Sequence, residues 1–364
     1  MIMDPELQLI MSRGDVLADA VIGDVQHMSP TVRAMLHEGL RNGSATVPNA
    51  PESMLALLRS AEAACAAVDR DAIVRAAEIY CVVNPLWMSL SQMPGVLAHV
   101  YAHPRIASTL VQSGRLLEDR ASRRLQETLL WNLQLLKPEG IAVGSPAYVH
   151  TLQVRLLHAT VRHRMCSQGY DVAVHGIPID QRETVRTLLG FFVVGVRSLQ
   201  SLGFTFDESQ LLDIASLWQQ VGVLVGVEGA LLDHMKTFAQ AAELLELIDC
   251  DAADPGEESQ LLVRASLIAQ STRLSHVMRL PDDVMLMLEQ SLVRMFHGGT
   301  LADKLGVEQN WTSALLPMLT DANRFRWQHA CSDNSRWQTS VSQSQQAIRD
   351  FEASLVGPAE YQHT

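Results

Sequence analysis

Arg155-Leu156-Leu157-His158-Ala159-Thr160-Val161-Arg162 is the stretch on which the fold turns. Its apolar residues recur at the period of a helix packed on one side. At roughly 100° per residue, Arg155, His158 and Arg162 fall within about 60° of one another, while Leu157 and Val161 turn to a more apolar side. A neutral imidazole flanked by two guanidiniums can bind a metal whose anionic ligands the arginines neutralise, and a haem suits that description. The competing reading is a hydrogen-bonded core histidine, the commoner fate of an imidazole on an apolar helix face. In either case the buried cations need partners.

Upstream, Arg123-Arg124-Leu125-Gln126-Glu127-Thr128 sits in a second helical pattern running from about residue 115 to residue 136. Arg124, Glu127, Thr128 and Trp131 share one face of it, at i, i+3, i+4 and i+7. Leu129, Leu130, Leu133, Leu135 and Leu136 occupy much of the remaining circumference, so this helix is expected to be largely buried. Glu127 has two readings there: structural partner of Arg123 or Arg124, or an acid–base group.

Helix punctuation is frequent. Asn42-Gly43-Ser44 reads as a turn, and residues 138–145 form the loop between the two motif helices, with Ser145 as N-cap and Pro146 at the first helical position. Asp180 caps a helix running to about Leu202 and stopped by Gly203. Thr205-Phe206-Asp207-Glu208 matches a capping box, and His103-Pro104 ends a helix. The acidic stretch 251–257 is the best hinge or boundary, helices continue over 258–330, and the Ser- and Gln-rich stretch 331–346 reads as loop or frayed chain. The expected organisation is an N-terminal helical extension (1–50), a helical core (51–250), and C-terminal helices with a polar tail packed on the same domain (251–364).

Of the 364 residues, 48% are hydrophobic but only 5% aromatic, and Leu, Ala, Val and Met dominate, which favours helices over strands. A net charge of −12 argues against non-specific nucleic-acid binding. Five scattered cysteines with no CxxC pair suit reduced thiols rather than a disulfide framework or zinc site. The acidic N-terminal residues Asp4 and Glu6, with no basic leader, point to a cytoplasmic location. The apolar run from Val221 to Leu232 is interrupted by Gly222, Gly226 and Glu228, so no membrane span is expected. His99 and His103 lie four apart but lack an acidic third ligand at a matching place, and His150 lies two turns before His158.

The succession of these segments resembles the latex clearing protein (rubber oxygenase) and MpaB-type oxygenase superfamily. The resemblance rests on Arg123 to Thr128, Gly144-Ser145-Pro146, and Val154 to Arg162. It continues through Gly176-Ile177-Pro178-Ile179-Asp180-Gln181, Thr187-Leu188-Leu189-Gly190-Phe191, and Trp218 to Val227, with Gly14 to Ala20 fitting the start of the domain. It implies an all-α, single-domain fold with a globin-like core that holds haem b. It makes His158 the proximal iron ligand, with Arg155 and Arg162 as cofactor-binding arginines, and Arg124, Glu127 and Thr128 as residues of the reaction pocket. The implied reaction is oxygenation of a small apolar or isoprenoid-like molecule with dioxygen. Two departures argue against natural rubber as substrate. Glu127 stands where rubber-cleaving members carry lysine, and Ser108 falls where those enzymes place a catalytic carboxylate. Peroxide-driven oxidation, a haem sensor or carrier without turnover, and a metal-free helical binding module are the alternatives.

Overall fold

Side-chain caps and prolines start most of the helices from which this chain is built. The structure, a computed structural model, describes residues 4–25, 29–112, 118–137 and 139–354; for residues 25, 118–122, 124 and 354 the description covers the backbone alone. Helices α1 (Pro5–Met11), α2 (Val16–Val25) and α3 (Pro30–Asn42) come first, the last closed by Gly43 at a φ of 91°. Then follow α4 (Glu52–Ala67), α5 (Arg70–Val83), α6 (Pro85–Ser91) and α7 (Ala98–Tyr101), with a π-helical turn, Gln92–Leu97, between the last two. Helix α8 (Pro104–Gln112) begins at the break expected after His103.

The two motif helices are α9 (Glu118–Leu135) and α10 (Pro146–Ser167); Ser145 accepts the Tyr148 N–H and Pro146 takes the first helical position, as the sequence predicts. After the short α11 (Val172–His175), Asp180 caps α12 (Gln181–Leu189), which runs through a second π-helical turn, Gly190–Val194, into α13 (Gly195–Ser201). The two π turns pack on each other, and such turns gather at functional sites. Helices α14 (Glu208–Val225), α15 (Gly229–Leu232), α16 (Phe238–Asp249), α17 (Glu257–Met278), α18 (Asp282–Lys304), α19 (Leu316–Cys331) and α20 (Asn334–Ser354) complete the chain. The described residues contain no strand, and the architecture is all-α.

Packing centres on α10 and α14. Helix α10 lies against α2, α9 and α14; α14 also covers α5; α17 packs on α18, α9 and α8. One apolar cluster runs from Ile10 to Ile348, so the first and last helices share a core with the middle of the chain. No described helix is long and apolar enough to cross a membrane.

Two local expectations are corrected. The stretch 331–346 is not a loop: it forms most of α20, because Val341, Ser344 and Ile348 present one buried stripe and Ser344 Oγ donates to Cys81 O of α5. The helix after Gly203 is capped by Asp207, not Thr205, and Gln210 completes the reciprocal box.

Candidate functional site

Helices α7, α8, α9, α10, α12 and α14 and the two π turns line one apolar cavity of about 230 Å³ that opens through a mouth. Its wall is mostly aliphatic and aromatic, with Leu97, Val100, Ile106, Leu110, Val154, Leu188, Phe191, Val221 and Val225. Thr151, Val154 and His158 come from one face of α10, at the i, i+3, i+7 spacing that stacks side chains along a helix. The imidazole of His158 therefore lies on the cavity wall. Thr128 and Trp131 reach it from α9, and the Trp131 indole N–H donates to Thr151 Oγ1 at 2.9 Å, tying α9 to α10. Trp131, Phe191 and Trp218 form a ring cluster with centroids 5.3 to 6.3 Å apart. Behind it, Trp218 Nε1 donates to the buried Tyr80 hydroxyl at 2.9 Å.

The two arginines beside His158 engage α2 and its surroundings. Arg155 makes a two-pronged pair with Asp15, with Nε donating to Oδ2 at 2.6 Å and Nη2 to Oδ1 at 2.9 Å, and both residues are buried. Arg162 donates to Asp19 Oδ1 at 2.8 Å and to Ile179 O at 2.7 Å. The three α10 residues share a sector, but the longer arginine side chains reach sideways to α2 while the ring of His158 faces the cavity. Glu127 accepts from Arg123 Nε at 3.0 Å, one turn away on α9. The side chain of Arg124 lies outside the described residues.

One wall residue was missed by sequence reasoning: Glu183. It stands three residues after the N-cap Asp180, where a glutamate looks like nothing more than a capping residue. Its Oε2 does accept the Ile179 N–H at 2.8 Å, yet the residue also lines the cavity. Burial, reinforced by the neighbouring Asp180, pushes its carboxyl up to about 7, against the opposing pull of Arg105. Ile179 has a φ of 52°, rare for a β-branched residue, and is held on both sides, its carbonyl by Arg162 and its N–H by Glu183. The signal in the sequence that could have found this corner is Pro178-Ile179-Asp180, a rigid turn feeding a carboxylate-rich helix start.

The donor set restricts what metal could bind. Among the described residues no group of three or more His, Cys, Asp or Glu side chains could hold an ion. A lone imidazole on an apolar wall fits an iron that brings its own equatorial ligands, as in haem, and does not fit a bare ion caged by protein. The His99–His103 pair lies apart from that role: His99 Nε2 is 3.5 Å from Asp249 Oδ2, and burial, with Arg186 nearby, holds both rings below the usual imidazole range, His103 at about 4.

An all-α frame lines an apolar cavity that carries one imidazole and one carboxyl on its wall, and this defines the class as a helical protein with an apolar pocket. The family model described as "ER-bound oxygenase mpaB/B'/Rubber oxygenase, catalytic domain" matches residues 81–328, more than half of the chain, and the chain belongs to that family. A solved structure titled "Structure of Latex Clearing Protein LCP in the closed state" superposes with a TM-score of 0.67 at 18% identity, covering 98% of this chain and 93% of that one, a likeness of fold. No curated protein matches the sequence.

Proposed function

We propose that this protein is a haem-dependent oxygenase acting with dioxygen on a small apolar molecule, with His158 as the ligand to iron. The observation that carries the reading is the His158 imidazole on the wall of an apolar cavity in a chain of an oxygenase family. When bound, haem supplies the redox chemistry and the activation of dioxygen.

The chain's own residues do the rest. The aliphatic wall excludes water and selects an apolar substrate. Thr128, on the wall, would donate to negative charge developing on a reacting oxygen, where a preorganised donor in a dry pocket acts strongly; the family resemblance assigns Arg124 the same task. Arg155 and Arg162 hold the His158 helix against α2, and Arg162 also holds the Ile179 turn at the cavity edge. Through that helix they orient the ring beside the cofactor.

The absorption spectrum of the purified, haem-loaded protein tests this. A Soret band is expected, lost or sharply weakened in His158→Ala. A band that persists unchanged in that variant overturns the ligand assignment.

A further inference from the structure

Glu183 supplies the one carboxyl on the cavity wall among the described residues. Its Oε1 accepts no hydrogen bond and lies 3.1 Å from Arg105 Nε, while Arg105 Nη2 donates to Asp180 Oδ2 and to Ile177 O, each at 3.1 Å. The side chains of Glu183 and Asp180 are each 4% exposed, but that of Arg105 is 34% exposed. The order from inside to outside is therefore cavity, carboxyl, guanidinium, solvent.

Charge sharpens the point. Two buried carboxyls face one guanidinium, and a second negative charge in so dry a place is costly, so a proton settles on one of them. Asp180 accepts from both the Glu183 N–H and Arg105 and is the better-served carboxylate, which leaves Glu183 to take the proton. The other titratable or charged groups around it are Arg182 and Arg186 of α12, with Arg186 already bound to Asp249 of α16, Tyr170 beyond Arg105, and, on the cavity wall, Tyr101 of α7 and His158 of α10. Helix α14 presents only Val221 and Val225 to the cavity.

We propose that Glu183 is the proton-exchanging group of the cavity, with Arg105 as the positioning residue that links it to solvent. The proposal rests on the cavity being the reaction site. In the step, Glu183 first releases its own proton on the Arg105 side, and the carboxylate then takes a proton from an X–H bond of the molecule in the cavity: an O–H bond forms, the X–H bond breaks, and its electron pair stays on X. Nothing is oxidised or reduced. The proton then leaves on the Arg105 side and the carboxylate is restored.

Two measurements decide it. Infrared titration of the purified protein, with or without haem, is expected to show a protonated carboxyl band that disappears with a midpoint near 7 and is absent in Glu183→Gln. No such band in the wild type, or the same band in the variant, overturns the proposal. The second probe is hydrogen cyanide, which binds ferric haem as its anion and so must surrender a proton within the cavity. Its association rate, followed by the Soret shift, should fall on the order of 100-fold in Glu183→Gln; equal rates in variant and wild type overturn the proposal. Arg105→Gln removes the cation that favours the carboxylate, so the midpoint should move upward, and an unmoved midpoint counts against Arg105 and Glu183 even if Glu183→Gln fails to fold. Absence of any Soret band defeats the haem reading alone and leaves the infrared titration to judge Glu183.

Discussion

At the scale of single residues, burial decides chemistry. His158 was legible because an imidazole between two arginines on an apolar helix is an unusual pattern, whereas Glu183 was not, because its neighbours in sequence make it look like a helix cap. What separates the two roles is the cavity behind Glu183, assembled from segments distant in sequence. A further buried carboxyl, Glu289 of α18, is fully enclosed, and neither oxygen has a hydrogen-bond partner among the described residues. Desolvation pushes it far above the usual carboxylate range, outweighing nearby Gln270 and Arg273. Above the ordinary glutamate value the folded protein therefore keeps a proton that the unfolded chain releases, and stability falls as pH rises through that range, by at most about 1.4 kcal/mol per pH unit. Glu289→Gln stays neutral throughout. Thermal melts should show it gaining on the wild type as pH increases, and a gain independent of pH would contradict a protonated Glu289.

At the scale of elements, the seat of α10 depends on paired charges. Asp15 caps α2, accepting the Ala18 N–H at 3.1 Å, and the same carboxylate takes the two-pronged Arg155 contact. Asp15→Ala removes the cap and leaves Arg155 buried without its partner, so a loss of about 3–5 kcal/mol is expected in denaturant unfolding. A loss below 1 kcal/mol, in the range of an exposed pair, would mean that the clamp does not seat α10. Gly226 ends α14 at a φ of 91°, and a Cβ there would collide with the Asp15 carboxylate and Arg155 Nε. Gly226→Ala should therefore destabilise the same junction and, by shifting α10, weaken the Soret band; an unaltered melt and spectrum would show that the junction yields without cost. Helix α20 teaches the complementary lesson. Its Ser and Gln residues read as loop by composition, but Ser344 and Trp337 find partners on α5, Cys81 O and Glu78 Oε2, that no local pattern reveals.

At the scale of the whole molecule, the cavity is a gap in a shared core, since α8, α9, α10, α12 and α14 all lend it a wall. A ligand that binds only the folded state fills that gap and stabilises the fold by mass action, about 2.7 kcal/mol at a hundredfold excess over Kd. Haem loading should accordingly raise Tm, and His158→Ala should abolish the rise; an equal rise in that variant would place the binding elsewhere. The all-α class and the caps of α10 and α12, Ser145 and Asp180, were determined by the sequence alone, because helix period, capping chemistry and composition are local properties of the chain. Only the tertiary structure decided that Arg155 and Arg162 reach α2, that Glu183 joins His158 on one wall, and that residues 334–354 are helical. Those outcomes depend on which distant surfaces exclude water from one another, and burial, unlike helical period, is a property of the assembled core.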